Sequence, residues 1–151
     1  MIARVEIAAA ARAWIGTPWH HQQTLKGIGC DCAGLVRGVV IELGLMPPDL
    51  SAWPKAEAFI GYGRRPDGRS MRLACETYMQ PIERSALQIG DVVLNGWRLE
   101  PPQHLGIIVE QRYGDWVLVH ASPGGVIEER VIYERRYWRY VQGYRLPGVD
   151  A

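Results

Sequence analysis

The sequence of 151 residues lacks several features that would place it in common classes of protein. It has no run approaching the roughly 18 apolar residues of a membrane-spanning helix, so we expect no membrane span. Its three cysteines are too few, and odd in number, for a disulfide framework. Its net charge of +1 gives no electrostatic reason to expect nucleic acid or an anionic membrane as a partner.

The N-terminus also lacks a recognisable secretion signal. Arg4 and Glu6 place charge inside what would have to be the apolar segment of a signal peptide. We therefore expect the protein to be made in the cytoplasm, and any role outside it to need another route of export. No internal repeat, low-complexity tract or linker interrupts the sequence, and 48 % hydrophobic residues suffice for a core. Residues 1–151 are predicted to form a single domain.

The chain is organised around the stretch from residue 29 to residue 43. Apolar residues recur there with helical spacing on one face, at Cys32, Leu35, Val36, Val39, Val40 and Leu43. Asp31 is a good N-cap, because its carboxylate can accept hydrogen bonds from the free N–H groups of the first turn. Gly44 suits the left-handed residue that follows a last helical turn. The pattern predicts a buried helix over roughly 31–43 with Cys32 at its N-terminus.

The rest of the sequence reads as helices followed by strands. Residues 2–15 and a segment capped by Ser70 and ending at Tyr78 have helical patterns, and a short helix is allowed over 56–60. Strand patterns follow at 89–94, 105–110, 116–121, 126–132 and 140–146. Turns at Gly114-Asp115 and at residues 123–125 connect three of these as a meander. This order indicates an α+β fold, with N-terminal helices packed on a C-terminal antiparallel β-sheet.

Cys32 has two interpretations. A thiol at the N-terminus of a helix feels the positive end of the helix dipole, which favours the nucleophilic thiolate. The alternative is a small buried cysteine that only packs in the core.

Two histidines favour the interpretation of Cys32 as a nucleophile. His104 opens one predicted strand and His120 lies near the end of the next, so an antiparallel hairpin puts both at one end of the sheet. If the helix with Cys32 packs on that sheet face, the three side chains converge. A thiol beside an imidazole can form a thiolate–imidazolium pair, and a second polar group can fix the tautomer of the base.

A zinc site built from Cys30, Cys32 and histidines is the other interpretation of these residues. The Cys-x-Cys spacing lacks the usual two to four intervening residues, and the sequence has no second cysteine pair. His20 and His21 have no partner that their spacing implies. We predict neither a metal nor a cofactor.

At these residues the sequence resembles the NlpC-type cell-wall peptidases, a family of papain-like cysteine hydrolases. The resemblance is carried by DCAGLV at 31–36, GDVV at 90–93, HLGIIV at 104–109, HA at 120–121, GTPW at 16–19 and VQGYR at 141–145. It implies a papain-like fold with Cys32 as nucleophile, His104 as general base and His120 as the orienting third member. It also implies hydrolysis of peptidoglycan stem peptides, commonly between D-glutamate and a diamino acid.

The sequence departs from the family at two positions. Trp19 stands where many members have tyrosine, and Ala33 where many have serine. The indole N–H of Trp19 could replace the tyrosine hydroxyl as a donor to the substrate or to an oxyanion. Asp31 and Gly34 are the other candidates for substrate or oxyanion binding, Gly34 because it allows close approach of a substrate or of the sheet.

The CDC sequence at 30–32 and the WHH sequence at 19–21 look most like the phage-encoded branch of the family. Proteins of that branch are associated with tail tips, where they open the cell wall during DNA delivery. The resemblance therefore implies phage-like tail or baseplate proteins as partners, and action in a virion or phage-like particle at the target cell wall. The alternatives are an inactive structural tail component, or an amidase or acyltransferase, on the same fold.

Overall fold

The computed structural model of the protein describes residues 1–45, 69–97, 103–133 and 138–150. Within these ranges the helices are α1 (Arg4–Arg12), α2 (Cys32–Glu42) and α3 (Ser70–Tyr78), with a 3₁₀ turn at Arg84–Ala86. A short hairpin consists of β1 (Thr24–Leu25) and β2 (Gly29–Cys30). The remaining strands are β3 (Gln80–Ile82), β4 (Val92–Trp97), β5 (His104–Arg112), β6 (Asp115–Ser122), β7 (Gly125–Val131) and β8 (Trp138–Arg145).

The described strands β3 to β8 form one antiparallel sheet in the order β3-β8-β4-β5-β6-β7. Strands β5 to β7 are the predicted meander, and β4 pairs with β5 at its edge. The last strand departs from it, because β8 crosses back to pair with β4 and receives β3 on its outer side. The predicted α+β class and the antiparallel sheet are confirmed. None of the helices among the described residues is long and apolar enough to span a membrane.

The helices cover one face of the sheet, as predicted. Val117, Val119 and Ala121 of β6 belong to the same buried cluster as the apolar residues of α1 and α2. Leu118, between them in the sequence, belongs to a smaller cluster on the opposite face, with Leu87, Val93, Ile108 and Val131. Side chains alternate between the two faces of a strand. By this alternation His120 projects toward the second face and not toward the helices.

Helix α2 agrees closely with the prediction. Asp31 is its N-cap, and one carboxylate oxygen accepts the N–H of Gly34 at 2.8 Å. The helix ends at Glu42, and Gly44 has the expected left-handed conformation at φ +66°. A Cβ at residue 38 would lie 2.1 Å from the ring of Trp14, so the glycine lets the end of α1 pack closely on α2.

Two other helix predictions need correction. Helix α1 is shorter than the predicted 2–15, because Ile2 bridges to Val149 and its N–H donates to the carbonyl of Gly148 at 2.9 Å. In α3, Arg69 occupies the N-cap position and Ser70 is the first helical residue, so the prediction of Ser70 as cap is wrong. The helix allowed over 56–60 lies outside the described residues.

The strand connections are close to their predicted positions. The turn between β5 and β6 is formed by Tyr113 and Gly114, both with positive φ, and Asp115 already pairs with Arg112 as the first residue of β6. This turn is therefore one residue earlier than predicted. Two consecutive residues with positive φ match the twist of the flanking strands in a two-residue hairpin.

Asp91 holds the start of β4 to two distant parts of the chain. Its side chain is fully buried, and its carboxylate accepts both a bidentate pair from Arg145 on β8, at 3.0 and 3.1 Å, and a bond from Arg4 on α1 at 3.1 Å. The N–H of Gln88 also donates to it at 2.8 Å. Several hydrogen bonds and two cations thus offset the cost of burying this charge.

We expect Asp91→Ala to lower the free energy of unfolding by about 3–5 kcal/mol, because it leaves two partly buried guanidinium groups unpaired. Urea unfolding followed by circular dichroism measures this loss. Asp115→Ala is the matched control, because it removes the partly exposed pair between Asp115 and Arg130, 3.7 Å apart. That pair should contribute less than about 1 kcal/mol. Equal losses in the two variants would contradict the role of Asp91.

Candidate active site

The N-terminus of α2 is fixed by the loop that precedes it. One carboxylate oxygen of Asp31 caps the helix, and the other accepts the N–H of Gln22 at 2.7 Å. A Cβ at residue 34 would lie 1.8 Å from the carbonyl oxygen of Gln23. The close approach for which Gly34 was proposed is therefore made by this loop and not by the sheet. The proposed contacts of Asp31 and Gly34 with a substrate or an oxyanion stay predictions.

Cys32 meets the sheet at the start of β5. Its Sγ donates to the carbonyl oxygen of Gln103 at 3.5 Å, and the thiol also interacts with the backbone N–H of Leu105. These two residues flank His104 in the sequence. The thiol of the nucleophile predicted on α2 therefore lies against the backbone of β5 on both sides of the predicted base, at the end of the sheet.

His104 and His120 form a direct contact that continues to a third residue. Nε2 of His104 lies 2.9 Å from Nδ1 of His120, with the two rings almost perpendicular. Nε2 of His120 in turn lies 2.8 Å from a carboxylate oxygen of Glu129 on β7. The antiparallel neighbourhood predicted from the β5–β6 hairpin therefore places the two imidazoles in hydrogen-bond contact.

This chain of contacts fixes the positions of the protons. An ionised carboxylate only accepts hydrogen bonds, so Nε2 of His120 carries a proton. Nδ1 of a neutral His120 is then bare and accepts the Nε2–H of His104. Nδ1 of a neutral His104 is bare as well, and it is the nitrogen that can take a proton from a thiol. The predicted roles of His104 as base and His120 as orienting residue are compatible with this arrangement and stay predictions.

Burial changes the proton affinity of both Cys32 and His104. It raises the pKa of the Cys32 thiol to about 12, and burial together with the nearby His120 lowers the pKa of His104 to about 3. Burial thus favours a neutral thiol and a neutral imidazole in the resting pair, and for Cys32 it opposes the effect expected from the helix dipole. A proton that moves from one to the other creates both charges at once, and these attract each other strongly in a low-dielectric site.

Two further side chains surround the histidine pair. The ring of Trp138 on β8 lies 5.5 Å from that of His104 and 5.2 Å from that of His120. The buried amide of Asn95 donates to the carbonyl oxygen of His104 at 3.3 Å, while its own oxygen accepts the hydroxyl of Tyr133. The indole shields the imidazoles from water, and the amide fixes the backbone of His104.

Sequence reasoning did not predict three residues of this site, which are Glu129, Trp138 and Asn95. A signal for Glu129 does exist in the β6–β7 hairpin, which pairs His120 with Ile127. Residue 129 is two positions further along β7 and so lies on the same face as His120. No comparable local pattern indicates Trp138, because β8 reaches the site by crossing back over the sheet.

The remaining candidate residues lie in the segment between α1 and β1. Trp19 is 39 % exposed, its ring stacks on that of His21 at 6.2 Å, and its backbone bridges to Cys30. Its use as a donor to substrate stays a prediction. The backbone N–H of His20 donates to the carbonyl of Cys30 at 2.9 Å. Among the described residues, no group of three or more His, Cys, Asp or Glu side chains is placed to hold a metal ion.

The three cysteines differ in access. Cys30 and Cys75 are fully buried, whereas Cys32 keeps 8 % exposure. We expect iodoacetamide to label Cys32 first near neutral pH, as seen by peptide mapping, because Cys32 keeps access to solvent and lies against the strand segment that carries the predicted base His104. His104→Ala should slow labelling of Cys32 by about ten-fold or more, since it removes that base. Labelling of Cys75 under denaturing conditions is the control for reagent quality, and Cys75 reacting first in the folded protein would contradict the assignment.

Comparison with known proteins identifies the fold. Neither a scan against protein-family models nor a search of curated proteins gave a match. Among solved structures, the crystal structure of the NlpC/p60 domain of the peptidoglycan hydrolase SagA is similar, with a TM-score of 0.61 and 19 % sequence identity. The similarity covers 96 % of this chain and 100 % of that domain. The chain therefore has the papain-like α+β fold of an NlpC/p60 domain.

Proposed function

We propose that the protein is a cysteine peptidase that hydrolyses the stem peptides of peptidoglycan. The observation that carries the proposal is the position of the Cys32 thiol against the backbone of Gln103 and Leu105, the residues that flank His104, together with the contact of Nε2 of His104 with His120. A thiol, a base and an orienting group are the parts that nucleophilic acyl transfer requires. The similar fold of a domain from a peptidoglycan hydrolase supports the choice of substrate.

In this mechanism the proton leaves Cys32 only when a carbonyl carbon is in place. Nδ1 of His104 takes the proton while Sγ attacks the carbonyl, and the oxyanion that forms is stabilised by N–H donors at the start of α2. His104 then gives its proton to the departing amine, which leaves a thioester on Cys32. A water molecule, deprotonated by His104, hydrolyses the thioester and restores the thiol.

The bond cleaved and the biological setting are finer parts of the proposal. Cleavage between D-glutamate and a diamino acid rests on the sequence resemblance to NlpC-type peptidases. The same holds for a place at the tail tip of a phage-like particle, among tail or baseplate proteins, which is supported by the CDC and WHH sequences at 30–32 and 19–21. Mass spectrometry of the muropeptides released from purified peptidoglycan identifies the bond, and immunogold labelling of particles tests the location.

An inactive structural tail component is the second candidate, and Trp19 in place of the family's usual tyrosine is the observation that favours it. The third candidate, an amidase or acyltransferase, would have the same fold and use a different acceptor. The muropeptide products separate all three, because a structural protein releases none and an amidase or transferase releases different ones.

We expect Cys32→Ala and Cys32→Ser to abolish release of stem peptides while the circular dichroism spectrum is kept, because the cap at Asp31 is untouched. His104→Ala should lose about 10²–10⁴-fold, since it removes both proton transfers. His120→Ala should be impaired, and His120→Asn or His120→Gln should keep more activity, because each can still accept a hydrogen bond. An active His104→Ala beside an inactive His120→Ala would show that the base is on the other strand.

A hydrolase of this kind needs no metal for its chemistry. We expect EDTA to leave peptidoglycan cleavage unchanged and a reductant to sustain it, because the thiol must stay reduced. Inactivation by EDTA that zinc reverses would contradict the mechanism and would favour a metal site.

A further inference from the structure

We propose that Glu129 is a positioning residue of this site, which fixes the tautomers of both histidines from outside the Cys32–His104–His120 group. The role in peptide hydrolysis rests on the proposed function. The effect on the proton of Cys32 does not, because it depends only on the position of the thiol at the start of β5 and on the hydrogen bonds among His104, His120 and Glu129.

The geometry places Glu129 at the end of a continuous chain of hydrogen bonds. Its Oε2 lies 2.8 Å from Nε2 of His120, whose Nδ1 lies 2.9 Å from Nε2 of His104. The side chain of His120 is 4 % exposed and that of Glu129 is 41 % exposed. The carboxylate therefore stands at the surface while the imidazole it binds is buried, and its removal leaves no hole in the core.

The carboxylate selects one of two neutral forms of His120. With Glu129 present, the proton of His120 sits on Nε2, and Nδ1 is free to accept from His104. Without Glu129, the form with the proton on Nδ1 becomes available. That proton is then donated to Nε2 of His104, which forces the proton of His104 onto Nδ1. A His104 in this form has no lone pair at the nitrogen that must receive the proton of Cys32.

The surroundings prevent simple compensation. Trp138 packs against both imidazoles, at 5.5 Å from one and 5.2 Å from the other, and so restricts their reorientation. Among the described residues, the titratable groups in contact with His120 are His104 on β5 and Glu129 on β7. Burial lowers the pKa of His120, although Glu129 opposes this shift, so the imidazole is neutral near pH 7 and can accept.

The neighbouring Glu128 offers a matched control. It lies on the same strand, but it pairs with Arg12 at 2.6 Å and with Arg112 at 4.0 Å. Glu128→Gln therefore removes a carboxylate charge one residue away without touching His120. A general effect of charge or of β7 stability would appear in both variants, whereas an effect through His120 would appear only at residue 129.

The experiment measures alkylation of Cys32 by iodoacetamide between about pH 5 and pH 10, in wild type, Glu129→Ala, Glu129→Gln and Glu128→Gln. The reagent is neutral, so a lost charge does not change its attraction to the site. In wild type we expect a plateau near neutral pH, where His104 assists removal of the proton. The rate should then rise at alkaline pH, where hydroxide removes the proton directly.

Glu129→Ala should lower the plateau by about 10–100-fold, the range for losing a hydrogen bond to a charged group, and leave the alkaline rise unchanged. Glu129→Gln should keep more of the plateau than Glu129→Ala, because its amide oxygen still accepts from Nε2 of His120. Glu128→Gln should follow wild type. A purely structural role would lower the rate at every pH or alter the circular dichroism spectrum.

The proposal is overturned by a plateau in Glu129→Ala equal to that of wild type, or by Glu129→Gln no better than Glu129→Ala. It is also overturned if Glu128→Gln loses as much as Glu129→Ala. Peptidoglycan cleavage is measured in parallel on the same samples. Wild-type protein that alkylates as described but releases no stem peptides would refute the proposed function and leave the role of Glu129 standing.

Discussion

The site depends on one constraint, which is that burial disfavours a charge on Cys32 or on His104 alone. Burial raises the pKa of the thiol and lowers that of the imidazole, so each group favours its neutral form. In the proposed mechanism the two charged forms arise together, when a proton passes from the sulfur of Cys32 to His104. The rest of the local structure supports that transfer.

The fold meets this constraint with elements from three parts of the chain. Helix α2 presents the thiol at its first residue, the β5–β6 hairpin brings the two imidazoles into contact, and β7 adds the carboxylate of Glu129. Strand β8 then returns beside β4 and lays Trp138 against both histidine rings. The return of β8 therefore does more than widen the sheet, because it completes the apolar cover that lowers the local dielectric.

Sequence patterns predict the parts of this arrangement that are local. The apolar spacing and the Asp31 cap define α2, and alternating strands with tight turns define the meander that juxtaposes His104 and His120. Pairings between distant segments have no such local signal, which is why the bridge of Ile2 to Val149 and the position of β8 were not anticipated. The effect of burial on the pKa of Cys32 was also not anticipated, because a helix dipole can be inferred from a sequence but the depth of burial cannot.

The two oxygens of Asp31 have a consequence for how such a site can change. One oxygen accepts a hydrogen bond from the helix that carries Cys32, and the other accepts one from Gln22 on the loop that carries Trp19. A single carboxylate therefore connects the loop to the helix. The backbone of the loop is held on the helix by these two hydrogen bonds and by the close packing of Gln23 on Gly34, and not by the side chain of residue 19. The side chain of residue 19, which is 39 % exposed, can therefore vary in size and polarity without changing how the loop is held on the helix that carries Cys32.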